Sequence, residues 1–121
     1  SQLRVFAESE ISLINTPHKL ELSRFLTLTF LNDLEFQRRV VSKHPPVIND
    51  LVVWLQDAIN DNRIKTADVV MTARIFYSLV IGSITWPALF SDGIDKQTIN
   101  PLLDEIINLF LTKYGGLAST S

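Results

Sequence analysis

The sequence predicts an all-α fold: one helical domain of about six helices over residues 1–121, associating with a second copy through its last two long helices as a four-helix interface. Three observations carry that expectation. No segment alternates apolar and polar residues over the length of a strand, and apolar residues recur instead at three- and four-residue spacing. The breaks between those runs hold helix stops and starts such as Asn15-Thr16-Pro17, Pro45-Pro46 and Ser91-Asp92-Gly93. The last sixty residues carry more apolar surface than one small domain can bury. Thr66 to Ile84 has only Asp68 and Arg74 as charges, and the apolar arc of Asn100 to Tyr114 is wider than a surface helix needs.

Each helix follows from its own residues. Gln2 to Ile14 puts Leu3, Phe6, Ala7, Leu13 and Ile14 on one stripe, with Arg4, Glu8 and Ser12 opposite, until Asn15-Thr16-Pro17 stops it. Thr16 as N-cap and Pro17 at the first helical position open a second helix to about Asp33, whose polar side is Lys19, Ser23, Arg24 and Thr27. Leu34 to Lys43 is a short third helix built on Phe36, Val40 and Val41 and ended by Pro45-Pro46. Pro46 opens the fourth, to about Asp61, with Val47, Ile48, Leu51, Trp54, Leu55, Ala58 and Ile59 set against Asn49, Asp50, Gln56, Asp57 and Asn60. Asn62 suits a left-handed exit. Thr66 is the expected N-cap of the fifth helix, which should end near Trp86-Pro87. Asn100-Pro101 should open the last and Gly115-Gly116 close it, leaving Leu117 to Ser121 as a frayed tail.

Composition narrows the function classes. Net charge is −2, and Arg38, Arg39 and Lys43 form the one local basic cluster, so these residues do not make a nucleic-acid footprint. There is no cationic n-region with an apolar h-region and cleavage site, and the charge-free run from Ile75 to Phe90 is short for a membrane span and holds Pro87. The expected location is cytoplasmic, with no membrane partner. Ser1 lies inside a helical pattern with no initiator methionine, which fits either methionine processing or removal of an N-terminal domain. The zero cysteines fit a reducing compartment.

Catalytic and metal chemistry find no residues to carry them. The two histidines, His18 and His44, sit at helix boundaries. His18 has Glu21 one turn on but no further ligand, and His44 is followed by Val47 and Ile48. There is no cysteine nucleophile, phosphate loop or nucleophile elbow, and Asp50, Asp57 and Asp61 share a solvated helix side. No enzyme activity and no cofactor are expected.

Binding is better supplied. At about 100° per residue, Thr29 and Asn32 fall with Leu22, Phe25 and Leu26 on the side of the second helix expected to face inward. Two readings stand: Thr29 bonds back to a carbonyl one turn earlier while Asn32 satisfies the helix end, or both are convergent polar groups of an apolar pocket. Phe6, Phe25, Trp54, Phe76, Tyr77 and Trp86 are candidate lining residues, and equally candidates for plain core. Trp86 stands out beside Pro87, where a cavity mouth could open. Glu10 lies on the apolar stripe of the first helix, exposed, paired with Arg24 or facing a ligand cation. If the pocket reading holds, its lining set is Phe25, Thr29, Asn32, Trp54, Phe76, Tyr77 and Trp86, which suits a small apolar or aromatic ligand.

The fifth helix has a narrow side of Ala67, Met71, Arg74, Ser78, Gly82 and Thr85, where small residues let another helix approach, opposite a core side of Val69, Ala73, Phe76 and Val80. On the last helix Leu102, Ile106, Leu109, Phe110 and Lys113 could join that association face.

Three stretches resemble the C-terminal domain of the TetR/AcrR transcriptional regulators, closest to the AefR-like subgroup. Ser23-Arg24-Phe25-Leu26-Thr27-Leu28 after Thr16-Pro17 is similar to the family's helix with an Arg followed by aliphatics. Ala58 to Ala73, with Ile64 and Thr66-Ala67-Asp68 before an apolar helix reaching Gly82, resembles its helix, turn and dimer helix. Ile106-Ile107, Phe110-Leu111 and Tyr114-Gly115 look like its closing helix. Thr29 and Asp33-Leu34 stand where the subgroup has a Glu and a Phe-Pro, so chemistry tied to those residues does not transfer. The resemblance implies a homodimeric, effector-binding domain that contacts DNA only through an N-terminal helix-turn-helix domain, which these 121 residues do not contain. The alternative is a helical adaptor that binds another protein and no small molecule.

Overall fold

A computed structural model describes residues 2–43, 48–91, 93 and 95–116. The described elements are α1 (Gln2–Ile11) with a 3-10 turn at Ser12–Ile14, α2 (Pro17–Asn32), α3 (Leu34–Lys43), α4 (Ile48–Asn60), α5 (Val69–Val80), a π turn (Ile81–Thr85), α6 (Trp86–Leu89) and α7 (Lys96–Tyr114). Because α5, the π turn and α6 run on without interruption over Val69–Leu89, the described residues form six helical segments, as the sequence predicts. The expected break at Pro45-Pro46, the opening at Pro46 and the tail from Leu117 lie outside the described residues.

The core forms where α1, α4, α5 and α7 meet. Leu3, Ala7 and Ile11 from α1, Leu51, Leu55 and Ala58 from α4, Ala73, Phe76 and Val80 from α5, and Leu103, Ile106 and Phe110 from α7 are buried together. Phe76 anchors it edge-on, its ring centroid 5.2 Å from Phe110 and 6.0 Å from Tyr77. On α1 Ile11 is buried, one turn after Ala7 and two after Leu3, while the expected Leu13 is exposed within the 3-10 turn that ends the helix. Arg4 fastens α1 to α7, reaching Asp104 at 2.6 Å and Asn100 at 2.7 Å while holding Glu8 on its own helix at 3.0 Å.

Several helix boundaries differ from those expected. Asp68, not Thr66, caps α5: its Oδ1 accepts from the Met71 amide at 3.0 Å. Thr66 stays in the cap from outside the helix, its hydroxyl accepting from the Asp68 amide at 3.2 Å and lying 2.7 Å from the hydroxyl of the buried Thr72. The long helix does not end at Trp86-Pro87. The π turn immediately before Pro87 widens the helix, and Trp86 donates its amide to Ile81, which moves backbone out of the way of the proline ring. Asp95 caps α7 through the Gln97 amide at 3.0 Å, so Pro101 lies inside the helix rather than at its start. A proline there removes only one bond near the helix start, and α7 tolerates it.

Thr16 and Asn62 are as expected. Thr16 accepts from the Lys19 amide at 3.2 Å with Pro17 following, and Asn62 takes φ 62°. The chain after Asn62 is tied to the end of α7: Lys65 donates to the Tyr114 carbonyl at 2.7 Å and Gly116 to the Arg63 carbonyl at 2.8 Å. A Cβ at Gly116 would stand 2.2 Å from the Asn62 carbonyl oxygen, so this crossing requires glycine.

The largest departure is the rotation of α2. Its polar side faces the body. Leu20 joins Ile14 and Ala88 in a small second core, the Ser23 hydroxyl donates to the Leu13 carbonyl at 2.9 Å, and the Arg24 guanidinium donates to the carbonyls of Leu89, at 2.8 Å, and Ser91. Arg24 thereby satisfies the carbonyl end of α6, a task suited to a cation at a helix C-terminus. The side expected to face inward is turned out: Phe25 is 65% exposed, and Leu22, Leu26, Leu28 and Leu31 are exposed with it.

Candidate ligand cavity and association face

Two apolar cavities flank the long helix. The first, of about 500 Å³, is walled by Glu10 of α1, Ile48 of α4, Val70, Arg74, Tyr77 and Ser78 of α5, and Ile81. The second, of about 670 Å³, is a groove between α2 and α3 lined by Leu26, Thr27, Phe30, Leu31, Phe36, Val40 and Trp86. Both volumes fall in the range that holds small ligands.

The first cavity has the more demanding chemistry. Tyr77 is 8% exposed, and its buried hydroxyl has no hydrogen-bond partner among the described residues, an unusual condition for a polar atom. Burial, followed by the negative charges of Glu10 and Asp50, raises the phenol above its ordinary value. Glu10 is half-buried, and loss of solvent raises its carboxyl above the usual glutamate range. Neither Arg24 nor Arg74 forms an ion pair with it; Arg24 is engaged at the end of α6, and Arg74 is exposed at the cavity wall.

The seven expected ligand residues do not gather in one place. Tyr77 lines the first cavity and Trp86 the second, where it stacks on Phe90 at 5.4 Å. Phe76 is wholly buried in the core. Trp54 packs edge-on against Phe6 at 6.2 Å, with the Arg63 guanidinium 5.6 Å over its ring. Phe25 and Asn32 lie on the outward side of α2, and the Thr29 hydroxyl donates back to the Phe25 carbonyl at 2.9 Å, which is the back-bonded reading. Apart from Tyr77, the residues that wall the first cavity are not in the expected ligand set, and Glu10 is the acid among them. Its signal was present in the sequence: a carboxylate on the apolar stripe of α1, with no basic residue one turn away.

The association residues divide in a similar way. Met71, Arg74, Ser78 and Gly82 are exposed on the long helix, and on α7 Leu109 is 58% exposed beside an exposed Lys113 and a half-buried Leu102. Ile106 and Phe110, expected on that face, are in the core instead, Phe110 at 1% exposure, because α7 turns this stripe toward Phe76. Thr85 is half-buried inside the π turn, its hydroxyl without a partner among the described residues. Ile75 and Phe90 are exposed apolar neighbours that the small-residue pattern does not pick out.

By length and composition Val69–Leu89 could cross a membrane, since the helix that Pro87 was expected to break is 21 residues long. A core helix passes the same test, and Ala73, Phe76, Tyr77, Val80 and Ile84 give this one that role.

A helical body with one long apolar helix shared between core and open surface is the all-α architecture expected of the regulatory-domain class that the sequence resembles. The chain belongs to the family described as AefR-like transcriptional repressor, C-terminal domain, whose model matches residues 1–116. Its fold is shared with the crystal structure of a TetR family transcriptional regulator from Pseudomonas syringae pv. tomato str. DC3000, with a TM-score of 0.77 at 18% identity. That likeness covers 94% of this chain and 61% of the regulator, so the chain spans about three fifths of the longer protein. No curated protein matches the sequence.

Proposed function

We propose that this domain senses a small apolar or aromatic effector and dimerises, relaying effector binding to a DNA-binding helix-turn-helix domain attached ahead of α1 in a cytoplasmic, non-enzymatic regulator. Family membership supports the regulator role. The observation that carries the sensing role is that Glu10 of α1 walls the same cavity as α4 and α5, so an occupant bears directly on α1. An effector that fits one placement of α1 better than another shifts the population toward that placement. The ligand acts through α1, α4 and α5, while α2 encloses the separate groove.

Dimerisation is supported by the exposed Met71, Ile75, Gly82 and Leu109 on the two long helices. The test is sedimentation of the chain with and without effector candidates, with amide hydrogen exchange along α1. A dimer whose α1 becomes protected on ligand addition fits the reading. A monomer at tens of micromolar whose exchange no small molecule alters would favour the adaptor, for which the exposed apolar side of α2 is the available surface.

A further inference from the structure

We infer that the cavity between α1, α4 and α5 selects an apolar or aromatic amine, the ammonium held against the Glu10 carboxylate and the ring against Ile48, Val70 and Ile81; this deepens the sensing role proposed above and rests on it.

Three observations point to a cation rather than to any apolar molecule. Glu10 is partly removed from water, and among the described residues no lysine, arginine or histidine nitrogen lies within 4.0 Å of it. An unpaired carboxylate in such surroundings is a standing cost that a ligand cation removes. Tyr77 lines the same cavity with its hydroxyl buried and unbonded, close enough to Glu10 for the carboxylate's charge to act on it. That hydroxyl can accept from an ammonium that already donates to Glu10, and satisfies itself in doing so. The remaining wall is aliphatic apart from Ser78 and Arg74. A multiply charged or strongly polar molecule would lose its hydration there without replacement, whereas a compact ring or alkyl body would not.

Arg74 is the one feature that would suit an anion. It is exposed and solvated, so no ligand is needed to neutralise it, whereas among the described residues no basic group pairs with Glu10. The groups facing Glu10 across the cavity are Tyr77 and Arg74 of α5, and Asp50 of α4 is the further acid whose charge reaches Tyr77. Another acid near the site increases the preference for a cation.

Three matched probes separate the alternatives by calorimetry on the 121-residue chain: 2-naphthylmethylamine, 2-naphthalenemethanol and 2-naphthoate. The amine is expected to bind about tenfold or more tightly than the alcohol, and the carboxylate most weakly. Glu10→Gln should bring the amine to the affinity of the alcohol while leaving the alcohol unchanged. Tyr77→Phe, which preserves the ring, should weaken the amine several-fold and is the variant to read if Glu10→Gln loses its helical circular dichroism. In the parent chain, amine affinity should fall as pH is lowered through the Glu10 titration, because the amine stays charged while its acceptor is neutralised; the alcohol should show no such slope. Equal affinity for amine and alcohol, or tighter binding of the carboxylate, would overturn cation selection and leave effector sensing standing. Failure of all three to bind at millimolar concentration would remove both the inference and this cavity as the sensor.

Discussion

Glu10 makes a stability prediction that needs no ligand. Burial raises its carboxyl pKa in the folded chain above the unfolded value, so the folded state binds protons more readily than the unfolded one. For a raised carboxyl, stability is greatest below the unfolded pKa and is lost as pH rises through the folded one. Glu10→Gln should therefore melt a few degrees higher than the parent near neutral pH, and the difference should close in acid, below the ordinary glutamate range. Thermal scans of both proteins across that window check it. A parent that is the more stable of the two at neutral pH would mean that Glu10 has a favourable partner when charged. Gly116 makes the opposite kind of prediction. Its missing Cβ is room that the Asn62 carbonyl occupies, so Gly116→Ala must push apart the backbone crossing that ties the α4–α5 connection to α7. A loss of about 1–3 kcal/mol in chemical denaturation is expected, and a neutral effect would show that the crossing yields without cost.

At the scale of elements, the most testable is α2, which is held less by apolar burial than by polar contacts at its first half. Leu20 is its one buried side chain, and Ser23 and Arg24 reach the carbonyls of Leu13, Leu89 and Ser91. Arg24→Met keeps the side-chain stem and removes every donor. Amide exchange should then accelerate through α2 and α3, where α2 meets the rest of the molecule chiefly at the 3-10 turn Ser12–Ile14 and at α6, while α7 keeps its protection. Uniform loss of protection would show that α2 is part of the main cooperative unit. This element also marks where sequence reading stops. The existence of α2, its Thr16 cap and its end at Asp33 were legible because they depend on local chemistry. Its orientation was not, because a helix with Leu or Phe on nearly every side does not say which side is covered. The periodicity rule assigns the apolar side to the interior, and here tertiary contacts to Arg24 and Ser23 prevail. The same limit explains Asp68 and Asp95. Thr66 and Asn100 were equally good caps by type, and the choice depends on where the helix packs. The cavity was half legible: Tyr77 and the apolar stripe containing Glu10 could be read, but Trp54 and Phe76 could not be told from core by spacing, and core is where they lie or pack.

For the whole molecule, the decisive question is which side of α7 and of the long helix meets another copy. Phe110 and Leu109 are neighbours in sequence and opposite in exposure, at 1% and 58%. Phe110→Ala would empty a site between Phe76 and Tyr114, so it should cost about 3–5 kcal/mol of folding stability whatever the oligomeric state. Leu109→Glu changes a side chain that is mostly exposed in a single chain and should leave the melting of an isolated domain nearly unchanged. In an associated pair it would bury a charge against apolar surface, and dissociation should follow. Gly82 offers an independent probe on the other long helix, since a Cβ there meets nothing within 4 Å in one copy. Gly82→Leu should therefore preserve or slightly raise helix stability on its own while blocking a close approach between helices. Sedimentation equilibrium of the three variants beside the parent separates the possibilities. If the long helices form the interface, both Leu109→Glu and Gly82→Leu are folded monomers at concentrations where the parent is a dimer, and Phe110→Ala is principally less stable. If both surface variants sediment as dimers, the interface lies elsewhere, and the exposed side of α2 around Leu22 and Phe25 becomes the surface to substitute next.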